Sequence, residues 1–545
     1  MFKQKHFAVI FAFLAVFTFT YCTPEKDEAG VVAIGDYNDL VSLFKEFREF
    51  QNPEVINGVP DYTAAAMAEQ LRGLKKFQSR LAAIDPSNWP VSQQVDYHLV
   101  RAEMNGLDFY HRVLKPWSRD PVFYLPSQGG AGPAMSGFSG IRYPRLPLSS
   151  DHIAELQIKL QALPVLYEQA KGNLTEGAKD LATIAIHYID YEASRYIDLA
   201  ARLVELHPDL ASLAEQAGNA VKNYGKWLED NKSKMTAPAG IGIENYNWWL
   251  KNVHLFPYTW EEGQAIVEHE YNRIITFLKL EENRNRNLPP LKVATTSKEY
   301  YRRLDEALNY VVEFLRDEEI LTVPDWLDPA DYSDPNESRR PLPTNPSIDH
   351  KAREREVLPG ETHEFIGHLF DEKRLELDNR PIRGVRRLYN MDWIRSEGWA
   401  VSLEELLMQA GVLDKRPQRG REIEYLMNAS HMSLSLPDFK MHSNEITFRE
   451  ARQLCAEIMP RDWSQEDEPM VWYEQQSNLR FPAFHTGCVL GKAQFMQLFR
   501  ERAMQLGDKF NLRQFIDEFL AAGMIPMSLT RWEMTGYDDE IKELW

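Results

Sequence analysis

From Asp36 onward, apolar residues recur three and four positions apart, the spacing that lines one face of a helix. Leu40, Leu43, Phe44 and Phe47 open the pattern, and Met67, Leu71, Leu74, Phe77 and Leu81 continue it. The same rhythm runs through Ile153 to Leu166, Leu199 to Leu213, Ile266 to Leu280 and Tyr301 to Leu315. Such stripes are buried by packing helix against helix, so the expected fold class is all-α. Helix punctuation agrees. Thr447 and Glu450 form a capping box ahead of a helix that must end near Pro460. Ser396 is placed to cap a helix through Trp399, Leu403 and Leu407 that stops at Gly411. Strand-like alternation is scarce, and no fixed-period repeat occurs, which disfavours a regular solenoid.

The 545 residues suffice for a sizeable core, and 44% hydrophobic with 26% charged residues is an ordinary globular balance. A formal net charge of −19 repels phosphate backbones and argues against a nucleic-acid partner. Three cysteines exclude a disulfide scaffold, and nothing in the sequence pairs Cys455 with Cys488.

The N-terminus reads as an address. Lys3 and Lys5 precede an apolar run from Phe7 to Phe19, short for a membrane span and right for a bacterial-type export signal. Cys22 directly follows the Phe19-Thr20-Tyr21 step, where a lipoprotein signal would place its acylated cysteine. The expected organisation is a signal over 1–22 and an exposed linker over 23–35. A single helical domain follows over 36–545, with an N-terminal part (36–240) and a metal-site part (241–545). Exported, the protein would be periplasmic or anchored by lipid to the outer membrane.

Two stretches interrupt the helical pattern. Ser118 to Leu148 is rich in glycine and proline, and Val323 to Asp349 carries six prolines. Loops of that length are functional covers or surface excursions, and the second ends just before the segment that carries chemistry.

That segment reads Pro359-Gly360-Glu361-Thr362-His363-Glu364-Phe365-Ile366-Gly367-His368-Leu369-Phe370-Asp371. A His-Glu pair followed by a second histidine is how a helix presents zinc ligands with a general base between them. Histidines four apart are separated by roughly 40° around an α-helix, whereas His363 and His368, five apart, are separated by roughly 140°. Both can face one metal only if the helix carries an i→i+5 bulge or breaks locally, and Gly367 would ease that distortion. A third ligand of the gluzincin kind would be Glu397, 29 positions after His368.

Ser396-Glu397-Gly398-Trp399-Ala400 with Glu404 resembles the signature of the bacterial domain-of-unknown-function 885 family, largely helical and often exported proteins regarded as zinc peptidases. His363 to His368 resembles that family's metal motif with a proline deleted. Asp438 to His442, followed by Thr447 and Ala451, resembles its D-x-x-x-H segment. Pro482 through Cys488 to Gly491, then Phe515, Gly523 and Pro526, is similar to its closing pattern. Gly242, Asn245, Tyr246, Trp249 and Leu250 with Pro257-Tyr258-Thr259 resemble its central block. The combination is also similar to thimet-oligopeptidase and angiotensin-converting-enzyme relatives, which implies a deep cleft within a large helical domain. The chain departs from the family at Leu369, which stands for a second histidine, and at Cys488, which stands for a tyrosine.

The resemblance implies a set of roles. His363, His368 and Glu397 would hold Zn²⁺, Glu364 would be the general base, and His442 would stabilise the oxyanion or polarise the scissile carbonyl. Glu404 or Asp371 would orient a ligand imidazole. His431, His485 and His350 are further imidazoles able to replace a misassigned ligand, and Cys488 reads as a small buried residue. Three readings stay open: a zinc-dependent peptidase acting on short peptides, a catalytically impaired relative that binds a ligand or partner, and a helical scaffold with incidental histidines.

Overall fold

The computed structural model describes residues 35–128, 146–332, 342–343 and 346–544. The signal, Cys22, most of the 23–35 linker and much of both Pro-rich stretches lie outside the described residues. Within them the chain is all-α. Strand is confined to one two-residue hairpin, Val55–Ile56 against Val59–Pro60, and two isolated bridges.

The apolar stripes become helices Tyr37–Phe50, Ala64–Ala82, Ser150–Asn173, Trp260–Arg284 and Ser297–Asp317, which bury or partly bury most of the positions the spacing marked, Leu280 being exposed. The capping box at Thr447 starts helix Phe448–Ile458, which ends before Pro460. Three expectations change. The run from Leu199 to Leu213 is two helices, Lys179–Leu203 and Pro208–Asn231, because Pro208 is set for a first turn and breaks the one before it. The Ser118 stretch begins as core, with Val122 and Tyr124 fully buried in a short 3₁₀ turn. Ser396 caps nothing: its helix runs Met391–Ala410, entered from Asn390 in the left-handed region, and stops at Gly411 with φ 101° as expected.

Helix Met391–Ala410 is the axis of the metal-site part and is buried along nearly its whole length. Trp399 packs edge-tilted against Phe495 and Phe519, at 5.5 and 5.3 Å between ring centroids. Its two flanks are fixed by backbone contact. A Cβ on Gly367 would sit 2.5 Å from Ala400 Cβ, and one on Gly398 would sit 2.7 Å from the Cα of Gly491 in helix Thr486–Leu506. These glycines are needed for proximity, since no side chain fits between the helices. The N-terminal and metal-site parts are joined by buried ion pairs, Arg383 to Asp96 and Arg480 to Asp120, both at 2.7 Å.

Close contact of this kind makes a sharp stability prediction. Gly398→Ala overpacks the crossing and should destabilise the protein by about 1–3 kcal/mol. Gly172→Ala, in an exposed helix turn with nothing within 4 Å, should be neutral or slightly stabilising. Thermal unfolding midpoints of the two variants, compared with the wild type, check both.

Candidate metal centre

The helix carrying His363 is regular over Leu358–Glu361, then widens to a π-helix over Thr362–Leu369, and resumes as Phe370–Leu377. The Phe370 N–H accordingly bonds to the Phe365 carbonyl, five residues back. One residue more per turn brings positions five apart onto one face, the distortion that the His363–His368 spacing demanded.

The two imidazoles meet with His363 Nε2 and His368 Nε2 only 2.9 Å apart. Glu397 closes the group: its Oε1 lies 3.2 Å from His368 Nε2 and its Oε2 3.7 Å from His363 Nε2. Each ring is oriented from behind. His363 Nδ1 is 2.5 Å from Glu404 Oε1, and His368 Nδ1 is 2.8 Å from Ser396 Oγ. With Nδ1–H donated to those oxygens, both Nε2 lone pairs face each other and the Glu397 carboxylate. Two lone pairs and a carboxylate converging within 4.8 Å repel one another unless a cation lies between them, so the donor set fits a zinc ion.

Charge in the group follows the same logic. Burial lowers the His363 pKa, but its hydrogen bond to Glu404 and the charges of Glu404 and Glu397 outweigh it and hold it at about 9. Burial would raise Glu397, yet His368 and His363 keep its carboxyl well below the usual range.

Glu364, His363, His368 and Glu397 line a cavity of about 340 Å³, shared with Trp393, His431, Glu474 and His485. Trp393 stacks on His368 at 5.8 Å and on Phe484 at 5.3 Å between centroids. The end of the second Pro-rich stretch reaches this wall through Ile348 and Asp349.

Two assigned roles need correction. His442 does not line the cavity. It is fully buried, its Nε2 donates to the Asn478 carbonyl at 2.9 Å, and Asp438 Oδ1 stands 3.3 Å away. Asp438 in turn accepts from Tyr246 and Thr486 at 2.7 and 2.6 Å. The D-x-x-x-H segment therefore ties the central block to the closing one, and an oxyanion in the cavity is out of its reach. Asp371 forms an ion pair with Arg395, leaving the orientation of ligands to Glu404 and Ser396.

Cys488 is more than a packing residue. Its Sγ lies 3.6 Å from Glu397 Oε2, and burial pushes its thiol well above the usual range, so it stays S–H and donates to the carboxylate. Of the spare imidazoles, His431 stacks on His363 and reaches Glu404 at 3.6 Å, while His485 pairs with Glu474. His350 packs on Tyr300 instead. Sequence reasoning missed Ser396 as a ligand orienter and Glu474 as a partner of His485. The first was signalled by its place next to Glu397.

Comparison with known proteins fits this geometry. Residues 362–534 match the family described as a bacterial protein of unknown function (DUF885). The match begins at the π-helix and takes in Glu397, the D-x-x-x-H segment and the closing pattern, while the central block from Gly242 to Thr259 lies outside it. No curated protein matches the sequence. Among solved structures, a candidate lipoprotein of unknown function from Shewanella oneidensis superimposes with a TM-score of 0.71 at 16% identity, covering 92% of this chain and all of the other. A candidate lipoprotein from Colwellia psychrerythraea gives a TM-score of 0.69 at 15% identity, covering 92% of this chain and 99% of its own. The fold is thus shared well beyond DUF885 residues 362–534.

The geometry predicts how metal binding responds to its surroundings. Glu404→Gln keeps the shape but weakens the hold on His363, and should lower zinc affinity about 10–100-fold, read by competition with a chelator. Acidification below pH 9 should weaken binding too, because His363 must lose its proton to coordinate. The expected slope is about tenfold per pH unit for one proton displaced.

Proposed function

We propose that the chain is a zinc-dependent peptidase that hydrolyses short peptides. The observation that carries this reading is the convergence of His363 Nε2, His368 Nε2 and the Glu397 carboxylate on one point at the wall of a cavity that Glu364 also lines. Two neutral imidazoles and one carboxylate leave a zinc ion a net positive charge and an open position, where it would acidify a water molecule and polarise a carbonyl. Glu364, adjacent to His363 in the chain, accepts the proton of the attacking water and returns it to the leaving nitrogen. Glu404 and Ser396 hold the two imidazoles in the tautomer that presents Nε2. The motif resemblance of His363 to His368 to the helix of thimet-oligopeptidase and angiotensin-converting-enzyme relatives, read from the sequence, points to the same chemistry.

A second reading, a catalytically impaired relative that binds a ligand, is favoured by one feature. The family's tyrosine is replaced by Cys488, whose thiol faces Glu397, and His442 is sequestered; loss of one oxyanion donor costs about 10²–10³-fold in rate. We place the protein outside the cytoplasm, anchored by lipid at Cys22. The export signal supports this, as does the description of both structural neighbours as lipoproteins.

Metal analysis of the purified chain should find about one zinc per molecule, lost in His363→Ala and His368→Ala. Glu364→Gln should keep the zinc and lose about 10²–10⁴-fold in turnover of a peptide library. A wild type that takes up no zinc would overturn the metallopeptidase reading, and zinc without turnover would establish the impaired relative.

A further inference from the structure

The charge on the cavity wall says what kind of peptide it can hold. Six carboxylates line it: Asp349, Glu364, Glu372, Asp392, Glu397 and Glu474. Among the described residues, only two cationic side chains other than histidines do so, Arg353 and Arg386, and both already have partners. Arg353 Nε bonds to Asp349 at 2.9 Å and its guanidinium also pairs with the buried Glu361. Arg386 Nη2 is 2.9 Å from Glu372. Glu474 is matched by His485, and Glu397 belongs to the metal group.

Among the described residues, two of these carboxylates form no ion pair. The Glu364 side chain makes no hydrogen bond or ion pair with a described residue. Asp392 is 5% exposed, and its Oδ1 accepts from the Trp393 N–H at 2.9 Å while its Oδ2 has no partner. Burial holds the Asp392 carboxyl above its usual range against the more distant charges of Arg386 and Arg387, and a cation in contact with Oδ2 would favour its ionised form. A zinc ion offsets Glu397 and does not touch this remainder.

The same census bears on which end of a peptide could be captured. Taking a terminal carboxylate needs a free Arg or Lys. Arg480 is engaged by Asp120 and Lys492 by Glu405 and Glu270, at 2.7, 2.7 and 2.8 Å, and neither they nor Arg449 line the cavity. With surplus carboxylates and no free cation among the described residues, the wall repels anions and attracts cations, and the net charge of −19 adds to that field at longer range.

We infer that the cavity selects peptides that place a positive charge, as a free α-ammonium or a lysine or arginine side chain, beside the bond to be cut. The inference rests on the peptidase reading for the cutting, and on the wall alone for the selection.

The test uses the zinc-loaded full-length protein and matched peptides that differ at one position as Lys, Gln or Glu, each with a free and an acetylated amino terminus. The expected kcat/KM for Lys over Glu is about tenfold or more at low salt, shrinking several-fold at high ionic strength. Asp392→Asn should reduce that ratio while the zinc content stays constant. Acetylation identifies the source of the charge: if it abolishes the preference the α-ammonium is read, and if the Lys preference survives the side chain is read. Binding to the zinc-loaded wild type of the same peptides, N-methylated at the bonds flanking the variable position so that they resist cutting, is followed by calorimetry and needs no turnover. Equal binding of Lys and Glu peptides, or tighter binding of Glu, overturns the selection even where peptides are cut. The Lys-first order without any cutting by the wild type overturns the peptidase reading and leaves the selection standing.

Discussion

A single added residue in one helical turn is the constraint on which the site depends. On a regular α-helix His368 would be turned roughly 140° from His363, and the two Nε2 atoms could not lie 2.9 Å apart. The wider turn over Thr362–Leu369 makes them neighbours, but a π-helix is rare and needs support from outside. That support is the backbone contact at Gly367 and Ala400, which presses the distorted helix onto Met391–Ala410, and the second contact at Gly398 and Gly491, which presses that helix onto Thr486–Leu506. Glu397 directly precedes Gly398 and stands three residues before Ala400, so its carboxylate is held at the level of the histidines by packing on the turn that carries it. The Arg395–Asp371 ion pair, fully buried, fixes the same two helices one turn away.

Behind the imidazoles runs a buried polar chain. Glu404 Oε2 accepts from Asn428 Nδ2 at 2.7 Å, and Asn428 Oδ1 accepts from Lys492 Nζ at 3.0 Å. Lys492 also meets Glu405 and Glu270, which share Arg273. Burial and the nearby Glu404 and Glu405 push the Glu424 carboxyl well above the usual range. A buried carboxylate such as Glu404 is expensive unless its lone pairs are met, and here an imidazole and an amide meet them. Removing one member leaves another unpaired, and the orientation of His363 therefore depends on residues far along the chain from it.

This dependence explains what could be read from the sequence and what could not. Periodicity and caps report local preference, and they located the helix that begins after Thr447 and the one that ends at Gly411. The spacing of His363 and His368 reported a conflict between chemistry and regular geometry, and the conflict named its own resolution. Ser396 was misread because a serine before an apolar run is a cap by local rules, whereas the helix begins five residues earlier at Met391, after a residue in the left-handed region. His442 was misread for a different reason. Its resemblance to a family motif carried no information about depth, and only the fold shows that Asn478, Asp438 and Tyr246 enclose it. Glu474 has no sequence mark at all; its meaning comes from His485, reached across the fold of the chain at Phe481.

With His442 enclosed, the polarity of the cavity falls to other groups. His485 and His431 are the imidazoles on its wall beyond the two that face Glu397. Burial would strip His485 of its proton, but the Glu474 carboxylate outweighs burial and holds the ring above the usual imidazole range. The wall thus carries an imidazole matched by Glu474, the Glu364 carboxylate, and a thiol that donates to Glu397. An acyl-transfer site needs a donor where negative charge develops and an acceptor where a proton is lost. On the proposed reading Glu364 supplies the acceptor by position, whereas the tyrosine donor that the motif resemblance implies is replaced by Cys488, whose thiol is committed to Glu397. The two proposed readings therefore differ only in the electrostatics of a few side chains around one cavity, on a fold that both share.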